Sequence, residues 1–75
     1  MAMSRKHYNP IAATLNRHYR SAKENPFEPE RARDYAALVV ALVARDLAEI
    51  FEKDNPDFDF DRFMEAAGVA EMGAL

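Results

Sequence analysis

Tyr35-Ala36-Ala37-Leu38-Val39-Val40-Ala41-Leu42-Val43-Ala44 is a run of ten apolar residues in the middle of a 75-residue chain, bounded by Arg33, Asp34, Arg45 and Asp46. A helix that spans a bilayer needs about 20 such residues. The run therefore predicts a buried helix and no membrane segment. No breaker occurs from Pro29 to Lys53, so the pattern extends to one long helix over 29–53, nearly 40 Å at about 1.5 Å per residue. Val39, Val43, Leu47 and Phe51 recur every four residues, with Tyr35, Leu42 and Ile50 beside them. Leu38 and Val40 widen this surface, and only Glu49, Glu52 and Lys53 restore a polar face near the end.

Outward from this helix, the pairs Asn9-Pro10, Asn25-Pro26 and Asn55-Pro56 read as helix borders, because a proline disfavours the α conformation of the residue before it. A first helix is predicted over 10–22, with Asn9 as N-cap and Pro10 at the first helical position. Ile11, Leu15, Tyr19 and Ala22, joined by a half-covered His18, form its apolar face, and Thr14, Arg17, Arg20 and Ser21 its polar one. An earlier start near Ser4 is the alternative, with Pro10 set against the carbonyl of Lys6. Lys23 to Glu28 read as a loop whose Phe27 turns inward. A short last helix is predicted over 59–67. Asp59 is its N-cap, Phe58 and Phe63 form a hydrophobic staple, Asp61 suits the helix dipole, and Gly68 stops it, with Val69 folding back onto Met64.

The expected fold is thus all-α, three helices in a single domain over 1–75, with residues 1–8 and 70–75 as frayed ends unless Met72 or Leu75 finds a groove. A chain this short sits where one core barely offsets chain entropy, and two short helices cannot cover a long one on every side. A homodimer is expected, with Tyr35, Leu38, Val39, Leu42 and Val43 at its interface and the long helices crossing near Leu38 to Leu42.

The chain contains no cysteine, which removes disulfides and thiolate metal sites and fits a cytoplasmic location. Polar Asn16 and Arg17 and the early Pro10 leave no signal-peptide core, so no export is expected. The net charge of −3 conceals a division: residues 1–23 hold Arg5, Lys6, Arg17, Arg20 and Lys23 and no acid, while the remainder holds the other five bases and all thirteen acids. The basic segment packing against the acidic remainder is the plain reading of this division. Contact of those five side chains with nucleic acid is the sharper one, and an overall pI near 5.3 weighs against it.

No catalytic or cofactor constellation is found. The aspartate-rich stretch from Asp54 fails as a calcium loop, since oxygen ligands and a glycine are required where Pro56, Phe58 and Asp59 stand, and a start at Asp57 puts Arg62 in the glycine position. His7 and His18 are eleven residues apart, too far for a metal pair on one helix turn. Glu49 with Glu52 and Glu28 with Glu30 read as solvated pairs rather than acid–base groups. Asn25-Pro26-Phe27 matches a tripeptide bound by certain eukaryotic endocytic adaptors, a three-residue match with little weight. No enzyme, cofactor or metal is therefore expected.

The segment Asp54-Asn55-Pro56-Asp57-Phe58-Asp59-Phe60-Asp61-Arg62-Phe63, continued by small residues to Gly68, resembles the ending of short uncharacterised proteins of actinobacteria and their phages, Asp-Asn-Pro-x-Phe-Asp-x-x-Arg-Phe. His7-Tyr8 followed by Ile11-Ala12 is similar to how many of them begin. This chain departs from the pattern at Asp57, Phe60 and Asp61, where the relatives carry basic or small residues. The resemblance implies a phage or actinobacterial cytoplasmic setting and no particular activity. Arg62, which has no structural duty in the motif, is expected to pair with Asp59 or a carboxylate of the long helix. The function expected on these grounds is binding to a host protein, with a nucleic-acid-binding regulator or an acidic DNA mimic as alternatives.

Overall fold

The computed structural model describes residues 5–69 and consists of α1 (Arg5–Glu24), α2 (Glu30–Asp54) and α3 (Phe60–Ala66), with no strand among the described residues. The Cα envelope measures 42 × 23 × 15 Å, its long dimension set by the 25-residue α2.

The face that α2 buries is made of its smallest side chains. Ala37, Ala41, Ala44 and Ala48 are at most 4% exposed and, at 100° per residue, occupy with Phe51 an arc of about 80°. Against them lie Tyr8, Ala12 and Tyr19 of α1, supported by Ile11, Leu15 and Ala22, so the first two helices pair along their length. Small side chains on α2 leave room for the larger ones of α1 to pack between the two helices.

One end of the pair closes on a cluster of rings. Tyr8 stands 5.0 Å from Phe51 and 4.7 Å from Phe58, and Phe63 lies 5.5 Å from both phenylalanines, in tilted or edge-on arrangements. This cluster corrects the expected start of α1. The helix begins at Arg5, residues 5–8 are not frayed, and Asn9 is a helical residue rather than an N-cap, with Pro10 inside the helix. Proline within a helix costs about 3 kcal/mol. Full burial of one large side chain contributes about 1.5–3 kcal/mol and each aromatic pair about 0.5–1.5 more, so seating Tyr8 among Phe51 and Phe58 is of the size that offsets the proline.

The other two Asn-Pro pairs are turns, each closed by the asparagine side chain. Asn25 Oδ1 accepts from the Phe27 N–H at 3.0 Å, and Asn55 Oδ1 from the Asp57 N–H at 3.0 Å. In the first, the Arg33 guanidinium also donates to the Asn25 carbonyl at 3.3 Å. The loop thus holds its shape through polar groups, and Phe27, expected to turn inward, is instead 92% exposed.

The ends of α3 match their sequence signals. Asp59 Oδ1 accepts from the Arg62 N–H at 3.0 Å, and the Phe58 and Phe63 rings are in contact across the cap. At the C-terminus Gly68 has φ +75°, its N–H donates to Glu65 O at 3.0 Å and that of Val69 to Met64 O at 3.1 Å, a complete Schellman ending. Val69 and Met64 are both buried. Asn16 of α1 ties this end down by donating from Nδ2 to the Ala67 carbonyl at 3.1 Å. A Cβ on Gly68 would collide with that amide nitrogen. The expected tail over 70–75, with Met72 and Leu75, lies outside the described residues, as do residues 1–4.

These two ends of α3 should differ in sensitivity. Asp59→Ala removes one cap and is expected to lower stability by about 1 kcal/mol. Gly68→Ala combines left-handed strain with the displacement of Asn16 and should cost about 2–3 kcal/mol. Urea unfolding followed by circular dichroism measures both, and equal losses would contradict the Asn16 contact.

Candidate interaction surfaces

With alanines turned inward, the large side chains of α2 are left outside. Tyr35 is 69% exposed, Ile50 59% and Leu42 51%, and Val39 and Val43 are also exposed. By helical geometry these five fall in an arc of about 100° whose centre lies nearly opposite the alanine face. Of the five expected interface residues, four are on this stripe, and Leu38 is half-buried at its edge. Ile50 joins the stripe, which the interface set did not include. The chain does not enclose Leu38, Val40 or Leu42. Single exposed apolar residues are ordinary on soluble proteins, but a contiguous row on one helix marks a contact surface. The row is interrupted by one charge, Asp46, about 20° from Val39 around the axis.

The basic side chains form a second surface. Arg5, Lys6, Arg17, Arg20 and Lys23 are all exposed and fall within an arc of about 120° on α1. Lys23 Nζ lies 5.6 Å from the centre of the Tyr19 ring, and the other four make no ion pair among the described residues. The acids are not gathered in the same way: around α2, Asp46 lies about 120° from Glu52 and about 80° from Asp54. Arg45 pairs with Glu49 at 3.8 Å along α2, and both side chains are exposed.

A cleft of about 220 Å³ opens between the start of α1 and the Asn55–Ala66 segment. Its exposed walls carry Arg5, Arg62, Asp57 and Asp59, and Tyr8, Phe58 and Phe63 form its buried side. No serine, threonine, cysteine or histidine lines it, so it holds no Ser–His or Cys–His pair. Among the described residues, no three histidine or carboxylate side chains are placed to share a metal ion, and no helix is long and apolar enough to cross a membrane.

Three expectations about individual side chains change. The Arg62 guanidinium makes no ion pair among the described residues, and it is the residue's backbone N–H that Asp59 engages. His18 is exposed rather than half-covered, because α1 buries the arc of Ala12 and Tyr19 and His18 stands 100° before Tyr19. Asn16, read only as a polar interruption, holds α3; an isolated asparagine on an apolar helix face was the available signal.

The Tyr8 hydroxyl is buried without a hydrogen-bond partner, a costly state for a polar group. Tyr8→Phe keeps the ring stack and removes that cost, so the variant should be more stable by about 1 kcal/mol in thermal unfolding. A loss of stability would mean that the hydroxyl has a partner in solution. Neither a protein-family model, nor a curated protein, nor a solved structure matches this chain.

Proposed function

We propose that this protein is a non-enzymatic accessory domain, of the phage-type or actinobacterial kind that its ending resembles, which works in the cytoplasm by binding protein and self-associates through the outer face of α2. The observation that carries this reading is the distribution of side chains on α2, with four alanines inside and Tyr35, Val39, Leu42, Val43 and Ile50 outside. A helix selected only to stabilise a lone three-helix domain would place its large residues inward, where each contributes most. The reverse order makes sense when the outer face is itself covered. With that face used for self-association, the ends of α1 and α3 are left for a host protein. Sedimentation equilibrium tests the first part: a dimer is expected at tens of micromolar, and Val39→Glu with Leu42→Glu should return a monomer of unchanged helix content. A wild-type monomer at 100 µM would overturn it.

A second reading rests on the common flank of Arg5, Lys6, Arg17, Arg20 and Lys23, which could contact a phosphate backbone. If it does, binding to duplex DNA must weaken steeply with salt, by about 0.9 log units in the binding constant for each log unit of salt per phosphate neutralised. Absence of binding at 20 mM salt in a fluorescence anisotropy titration disposes of this reading. The spread of the α2 acids around the helix gives no support to an acidic DNA mimic.

A further inference from the structure

We infer that the α2 stripe is occupied by a second copy of this chain running antiparallel, related by a two-fold axis that passes between Leu38 and Val39 and sets Arg31 of each copy beside Asp46 of the other. This rests on the self-association proposed above and fixes its orientation and register. In an antiparallel pair, each residue lies level with the residue equally far on the other side of the axis in the partner. Tyr35 and Leu42 are equidistant from the Leu38–Val39 boundary and lie within about 20° of each other around the helix. The symmetry brings one onto the other on the same side of the seam.

Charge selects the same arrangement. Asp46 is the charge within the apolar row, and in a parallel, in-register pair it would face its own copy. Like charges set against one another in a partly dehydrated seam oppose association. About the antiparallel axis Asp46 is level with Arg31, whose long side chain covers the remaining 60° or so around the helix. Glu49 and Glu28 form a like-charged level, but Glu49 already sits beside Arg45 at 3.8 Å, and Glu28 lies outside the helix. The apolar stripe offers on the order of 400 Å² per copy, against about 800 Å² per partner in a standard interface. The methylene stems of Arg31, Arg45 and Lys53 extend it.

Because the chain has no cysteine of its own, introduced thiols report the geometry. Two copies of residue 35 are separated by about 10 Å along the antiparallel pair, beyond the roughly 7 Å Cα separation that a disulfide bridges. A mixture of Tyr35→Cys and Leu42→Cys should therefore cross-link as a heterodimer under mild oxidation, and each alone should not. Self-cross-linking of Tyr35→Cys overturns the antiparallel arrangement. Asp46→Arg and Arg31→Asp are each expected to weaken dimerisation about tenfold, and the double reversal to restore it to within about threefold. A double variant as weak as either single one overturns the register. The reduced wild-type mass, measured in parallel, separates the two levels: a dimer that fails these tests loses only its proposed geometry, whereas a monomer loses the self-association itself.

Discussion

The rest of the structure depends on the packing of α1 against the alanine face of α2. Ala37, Ala41, Ala44 and Ala48 are at most 4% exposed, and a close-packed interior does not accept a longer side chain without strain. That constraint fixes which way α2 is rotated. Once the small residues are turned to α1, the large residues of a helix that is apolar almost all round have only the solvent side left. The outer stripe is thus a consequence of how the inner face packs, and the two cannot be altered independently.

Alanines contribute little apolar area, and the thin seam they make needs reinforcement at its end. The rings of Tyr8, Phe51, Phe58 and Phe63 supply it, drawing on α1, α2 and the loop and first turn of α3. This explains two otherwise unfavourable features together. Pro10 is tolerated inside α1 because the residues ahead of it are held by Tyr8, and a seven-residue α3, too short to be stable alone, persists because Phe58 and Phe63 are part of the same cluster. The Asp59 cap, the Schellman turn at Gly68 and the Asn16 amide then satisfy the backbone groups that a short helix exposes at both ends.

What could be read in the sequence was local. The all-α class, the long helix and both caps of α3 follow from signals a few residues apart, such as Asp59 two residues after Asp57 and ahead of Phe60, or Gly68 after Ala67, and they stand in the structure to within a residue or so. What could not be read depended on partners distant in the chain. Asn9-Pro10 has the local form of a helix start, and only the contacts of Tyr8 with Phe51 and Phe58 reveal that the helix runs through it. Phe27 has the composition of a core residue, but its turn is closed by Asn25 and Arg33. The ten-residue apolar run hid its own polarity, because a pattern without polar residues does not say which side faces inward. Size distinguishes the sides, and size matters only once a neighbouring helix is in place.

The same distinction of size links stability to association. Covering a large apolar side chain completely is worth about 1.5–3 kcal/mol, and five such side chains half exposed on α2 leave several kilocalories per mole unused in a single copy. A domain of this length has a total stability of about 4–11 kcal/mol at typical values per residue. The unused part is therefore comparable to the whole, and pairing of the kind proposed would raise the apparent stability with concentration, since a partner that binds only the folded form shifts the folding equilibrium. In the proposed pair the outer stripe would therefore add to stability what the alanine seam, built from small side chains, does not supply.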